Sequence, residues 1–204
     1  MRKNISIVLA IIVWVTVFTQ YYLMIENRRA SILETTIRFF SYFTILTNSL
    51  VAIYFTLYSL TPKEGFLAIS KKPGILTAVT VYITIVGLVY QIVLRHIWEP
   101  TGIQMVVDEL LHSIIPIVVI AFWFLCEDKL SVQYKQIPQW LVYPFIYLVL
   151  LLIRGNSSDF YPYPFVDVGS LGLLKVLTNS MGLIVLFIGI SALYIKIGKT
   201  IKTK

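Results

Sequence analysis

Six stretches of this chain are apolar for about the length that crosses a bilayer, and that repetition fixes the class of fold before any single residue is weighed. They cover about residues 5–24, 39–60, 75–94, 107–126, 138–153 and 171–195. A helix rising 1.5 Å per residue needs about 20 residues to cross roughly 30 Å of hydrocarbon. Lipid offers no partners for the backbone, so an isolated segment of this length closes its hydrogen bonds within itself, as an α-helix does. Pro73-Gly74 precedes the third stretch, Pro138 opens the fifth, Arg154-Gly155 closes it and Gly169 precedes the sixth. Only 13% of residues are charged and 58% are hydrophobic, against about a quarter charged in a soluble domain. The expectation is an all-α polytopic membrane protein, one bundle of six transmembrane helices over residues 1–204.

The net charge of +7 does not point to nucleic acid, because the basic residues sit in short loops and at the two ends. With a cytoplasmic N-terminus, 11 of the 17 lysines and arginines fall on the inner side, among them Lys63, Lys129, Lys135, Lys202 and Lys204. The positive-inside rule then places both termini in the cytoplasm of a multi-pass cell-membrane protein. Arg2 and Lys3 followed by Ile5 to Phe18 imitate a signal peptide, but Thr19-Gln20-Tyr21-Tyr22 follows in place of a small-residue cleavage site, so the first helix reads as retained. A single cysteine, Cys126, excludes an intrachain disulfide and reads as a small hydrophobe.

Within the apolar blocks, His112 is the residue that asks for an explanation. Ionisable side chains inside a membrane segment are costly and mark function by default. In the second block Ser41, Thr44, Thr47 and Asn48 fall on one helix face. Such stripes commonly serve as glue between helices. Depth favours more than glue here: Thr44 lies six residues past Arg38 and His112 four past Asp108. Both spans run from outside to inside, which puts Thr44, Thr47 and His112 within about 10 Å of the outer interface. Thr44 or Thr47 can then meet His112 as a nucleophile meets its base. Asp108 and Glu109, at i−4 and i−3 from His112, are candidates to orient the imidazole, and Pro116 is expected to bend the helix nearby.

Other features are weaker. His96 reads as an interfacial residue, and no metal-ligand spacing links it to His112, so neither metal nor cofactor is expected. Leu46-Thr47-Asn48-Ser49 is echoed by Leu177-Thr178-Asn179-Ser180, which suggests two amides, Asn48 and Asn179, serving one polar cavity. The segment Phe160-Tyr161-Pro162-Tyr163-Pro164-Phe165 reads as an interfacial anchor or a rigid lid. Asn156-Ser157-Ser158 is a formal glycosylation sequon.

Three of these segments together resemble the androgen-induced-gene-like family of integral membrane proteins, in particular its small bacterial relatives. The likeness lies in Arg38-Phe39-Phe40-Ser41-Tyr42-Phe43-Thr44-Ile45-Leu46-Thr47-Asn48, in Leu111-His112-Ser113-Ile114-Ile115-Pro116, and in Trp140-Leu141-Val142-Tyr143-Pro144 with Arg154-Gly155 and Tyr161-Pro162-Tyr163-Pro164-Phe165 downstream. The resemblance implies hydrolysis of fatty-acid esters of hydroxy fatty acids by an intramembrane threonine and a histidine. The histidine falls on His112. The threonine, which follows a Tyr-Leu-Thr pattern in that family, falls on Thr44 in Tyr42-Phe43-Thr44, with Thr47 as the second choice.

The expected chemistry is attack by Thr44 Oγ on a lipid ester with His112 as base. Asp108, Asn48 and Asn179 would orient groups or steady the oxyanion, and Arg38 or Arg154 would hold a fatty-acid carboxylate. The partner is a membrane lipid or fatty-acid ester. The alternative is a non-catalytic lipid-binding or small transport protein. Coupled ion transport is disfavoured, because no clearly central Asp, Glu or Arg appears in the six spans.

Overall fold

A computed structural model describes residues 2–60 and 66–201. It is 85% helical, with no strand among the described residues. Six helices are long and apolar enough to cross a membrane: Arg2–Glu26, Phe43–Leu60, Ile75–Leu94, Gly102–Cys126, Tyr134–Ser158 and Leu173–Thr200. Lys63, Lys202 and Lys204 of the charge count lie outside the described residues. The helices group into two compact units, Met1–Val132 and Gln133–Lys204.

In the first unit α1 (Arg2–Glu26) packs along α3 (Phe43–Leu60), and α3 along α4 (Ile75–Val89). The fourth span is α5 (Gly102–Glu109), a π-helical turn (Leu110–Ile114) and α6 (Ile115–Cys126) in continuous succession. Its α6 half packs on α4 and its α5 half touches α1. Val51, Ala52 and Phe55 of α3, Val81 and Ile83 of α4, and Val119 and Phe122 of α6 form the apolar centre. Phe55 meets Phe122 edge to face at 5.0 Å. Ile11, Val15, Phe18 and Tyr22 of α1 point outward and are well exposed. Core threonines satisfy their hydroxyls on the preceding turn, Thr80 on Leu76 O and Thr84 on Thr80 O.

The second span is not one helix from residue 39, as its composition suggests. A separate helix, α2 (Ile32–Phe40), ends at Ser41, and α3 begins at Phe43. Ser31 caps α2 by accepting the Glu34 backbone N–H, and Glu34 pairs with Arg38 one turn on. The Ser41 hydroxyl donates back to Ile37 O, so Ser41 belongs to the end of α2 and not to the polar stripe of α3.

At the other end of the unit, the carboxylate of Glu127, just past α6, accepts both the backbone N–H and the hydroxyl of Thr77 at 2.8 Å. That carboxylate holds the first turn of α4, where amide hydrogens lack intrahelical partners. Trp123 Nε1 donates to the same Thr77 hydroxyl oxygen. Burial pushes the Glu127 carboxyl above the ordinary carboxylate range, and the Thr77 hydrogen bonds draw it part of the way back.

In the second unit α7 (Ile137–Ser158) packs against α9 (Leu173–Thr200), with a 3₁₀ turn at Pro164–Val166 and the short helix α8 (Val168–Leu171) between them. Both helices run past the C-terminal ends of the apolar blocks expected at 138–153 and 171–195, because polar residues there stay helical while making local bonds. Ser157 and Ser158, for example, donate to Arg154 O.

Candidate active site

His112 is placed by a distortion of its own helix. Proline at residue 116 has no N–H, so it cannot bond the carbonyl of His112, and its ring crowds that carbonyl. The chain widens into the π turn, where Ile115 N–H bonds to Leu110 O. The freed His112 carbonyl faces α4 at Gly87, where a Cβ would stand 3.2 Å from it. Single π turns of this kind recur at functional sites, and here one carries the only histidine buried in the bundle among the described residues.

The nucleophile candidate is the second residue of α3. Thr44 Oγ1 lies 3.2 Å from His112 Nε2, and both side chains are buried. On its other side His112 Nδ1 meets two oxygens of Asp108, the backbone carbonyl at 2.9 Å and the carboxylate Oδ1 at 3.3 Å. Two acceptors at Nδ1 require that nitrogen to carry the proton, which leaves the Nε2 lone pair facing the Thr44 hydroxyl. That is the tautomer a general base needs. Asp108 does the orienting; Glu109 is turned to other work.

Asn48, one turn beyond Thr44, is fully buried, and its amide donates to Thr44 O at 2.9 Å and to Leu111 O at 3.4 Å. It therefore ties the backbone of the threonine to the residue before the histidine. Both amide hydrogens are occupied in this arrangement, so Asn48 fits the orienting role rather than that of an oxyanion donor. Thr47 lies on the same helix, fully buried, while the partner that meets His112 Nε2 at 3.2 Å is Thr44.

Tyr90 was not foreseen. It stands at the start of a second π turn, Tyr90–Leu94, and is 3% exposed. Its ring lies parallel to the His112 imidazole, centroids 4.1 Å apart and planes 13° apart. The phenol stands beside the Asp108 carboxylate. In sequence it passes for an interfacial tyrosine at a span end; only its place at a helical position level with His112 hints otherwise.

Beside this cluster, Arg95, Gln91, Ser113 and Glu109 close a ring of hydrogen bonds. Arg95 donates to Gln91 Oε1 and to Glu109, Gln91 Nε2 to Ser113 Oγ, and Ser113 to Glu109 Oε2. The ring clips the end of α4 to the π turn of the fourth span. His96 is exposed, and no three potential metal ligands gather among the described residues. Arg38 Nε is paired with Glu34 at 2.7 Å.

Two expected site residues belong to the second unit. Asn179 donates to Phe165 O at 2.9 Å, and Arg154 places its guanidinium over the Phe160 ring. Tyr161 lies directly over Gly155, so closely that any side chain there would collide with its ring. The aromatic segment is thus tied to α7 and α9 at three points. The two echoed asparagines do the same kind of work, each donating to a backbone carbonyl outside its own helix.

No family model, no curated protein and no solved structure matches the chain.

Proposed function

We propose that this six-span chain is an intramembrane lipid-ester hydrolase of the cell membrane, with both termini in the cytoplasm, Thr44 as nucleophile and His112 as base. The observation that carries the proposal is the buried line Thr44 Oγ1–His112 Nε2, His112 Nδ1–Asp108, whose tautomer is fixed by two acceptors on one side. Nucleophile, base and orienter in hydrogen-bond reach are the requirements of covalent acyl transfer. Thr44 Oγ attacks the ester carbonyl carbon while Nε2 takes the hydroxyl proton. The tetrahedral adduct collapses, the C–O bond to the alcohol breaks, and Nε2 returns the proton to the departing alcohol oxygen. Water then attacks the threonyl ester with its proton passing to Nε2, and that proton restores the Thr44 hydroxyl as the fatty acid leaves. A fatty-acid ester suits a nucleophile reached from hydrocarbon, and the family resemblance of the Thr44 and His112 segments points the same way.

The competing reading is a non-catalytic lipid-binding protein in which the stripe is helix glue; the saturated amide of Asn48 favours it. Labelling with an alkyl fluorophosphonate, together with turnover of a long-chain p-nitrophenyl ester, separates the two. The expected result is a label on Thr44, kept in Thr44→Ser and lost in Thr44→Ala, with His112→Ala reducing turnover by about 10²-fold or more. Labelling confined to Thr47 moves the nucleophile three residues along α3. Wild-type turnover in Thr44→Ala, Thr47→Ala and the double variant abandons the catalytic reading.

A further inference from the structure

The Thr44–His112 pair leaves one of its closest neighbours without a task, and the geometry there is specific. An imidazole turns about its Cα–Cβ and Cβ–Cγ bonds, and the hydrogen bonds at the edge of the His112 ring leave its two faces unbraced. Something must fix the plane of the ring. The parallel Tyr90 ring at 4.1 Å covers one imidazole face, and Tyr90 is itself immobilised: it is 3% exposed, begins a π turn, and lies under the Arg95 guanidinium at 5.8 Å. Asp108 Oδ2 is buried without a donor in hydrogen-bond geometry, and the Tyr90 phenol is beside that carboxylate. A desolvated carboxylate oxygen gains from any donor that reaches it, and the Tyr90 phenol is the donor nearby. Arg95 is in turn fixed by Gln91 and Glu109.

We propose that Tyr90 is a positioning residue: its ring sets the plane of the His112 imidazole, and its phenol steadies the Asp108 carboxylate that faces Nδ1. The proposal rests on the hydrolase reading only for its consequence in turnover; the clamp on the ring is measurable without it. Stacking against a fixed ring resists rotation of the imidazole, and misplacing a reacting group by 1 Å can cost about 10²-fold in rate.

The test compares Tyr90→Phe, which keeps the ring and deletes the phenol, with Tyr90→Leu and Tyr90→Met, which fill the space without a ring. The protein is taken in detergent micelles on a His96→Gln background. His112 and His96 are the only histidines, so the remaining imidazole signal belongs to His112. Ring current from the stacked phenol is expected to move the His112 ring protons to high field in the parent and in Tyr90→Phe, and not in Tyr90→Leu or Tyr90→Met. Turnover is expected to fall a few-fold in Tyr90→Phe and about 10- to 100-fold in the ringless variants, in kcat rather than KM. His112 signals without a high-field shift in the parent overturn the proposal even if the ringless variants fail to fold. So does an equal kcat in Tyr90→Phe and Tyr90→Met. High-field signals that vanish with the ring, in a protein that turns over no ester, leave the clamp standing and sink the hydrolase reading alone.

Discussion

Replacing Gly87 by alanine tests whether the Thr44–His112 pairing depends on how closely α4 approaches the π turn. The new Cβ would stand 3.2 Å from the His112 carbonyl oxygen and 3.4 Å from Pro116 Cβ. Comfortable contact begins at roughly 3.5 Å, so α4 and the turn must part by a few tenths of an ångström. Two energies compete. Alanine is about 1 kcal/mol better than glycine inside a helix, and overpacking costs about 1–3 kcal/mol, so the net loss of stability is about 0–2 kcal/mol and the fold survives. The chemistry is less tolerant. The Oγ1–Nε2 distance is already 3.2 Å, and a further 0.3 Å, on the order of the required shift, takes it to the outer limit of a hydrogen bond. If 1 Å of misplacement costs about 10²-fold, a few tenths cost about 4- to 10-fold. Turnover and thermal unfolding would be measured in the same micelles, beside Gly189→Ala, whose Cβ meets open space and which supplies the propensity gain alone. Turnover in Gly87→Ala within twofold of both the parent and Gly189→Ala would refute the reasoning, because the close approach would then be irrelevant to the base.

Asn48→Ala removes the two hydrogen bonds that tie Thr44 O to Leu111 O and is expected to cost about 2–4 kcal/mol in unfolding free energy, with turnover falling more than stability alone explains; an unchanged melting temperature would deny Asn48 its bracing role. Gly155→Ala drives a Cβ into the Tyr161 ring and is expected to destabilise the protein by about 3 kcal/mol or more, while Tyr161→Ala in the same chain recovers much of that loss; a double variant no more stable than Gly155→Ala would show that the collision is not the cause. Glu127 gives a pH signature. Its folded carboxyl is raised by burial, so the fold prefers it protonated: the stabilising contribution is complete below the ordinary glutamate value of about 4.3 and is lost as pH rises through the raised value. Thermal unfolding across that window is expected to show the parent losing stability relative to Glu127→Gln, and parallel curves would contradict the assignment.

The six spans were legible because each is a long apolar block, and blocks of that length leave a helix little alternative. The level of Thr44 with His112 was legible too, since it needs only the distance of each from a charged span end. Helix α2 was not. Its apolar residues Ile32, Leu33, Ile37 and Phe40 are all well exposed, and nine residues in the connection between the first two spans carry too little hydrophobicity to register as a span. The cue that could have found it is Ser31 with Glu34, a helix-start pattern. Asn48 illustrates a different limit. A helical stripe tells which face a side chain shares but not whether its hydrogens are already taken, and those of Asn48 go to Thr44 O and Leu111 O. Tyr90 was hidden by its residue type, because a tyrosine near a span end has a ready explanation at the interface.

The parts of the cluster that the sequence did show become a site through parts that it showed only as irregularities. Pro116 reads as a bend, yet its consequence is local: a carbonyl without a helical partner and a turn widened around residues 110–114. Such a turn costs stability unless a neighbour can approach the displaced backbone, and Gly87 is the residue on α4 that permits it. Once α4 is that close, the next helical turn brings Tyr90 onto the imidazole face, and Gln91 and Arg95 onto Ser113 and Glu109. The proline, the glycine and the tyrosine thus form one dependency, in which the defect in one span and the missing side chain in the other set where His112 stands. Thr44 comes from the start of α3, just past the break after α2, and Asn48 one turn on ties its backbone to the same turn. On the hydrolase reading proposed above, this divides the labour: the widened turn and its neighbours set the orientation of His112, while Asn48 fixes the backbone that carries Thr44.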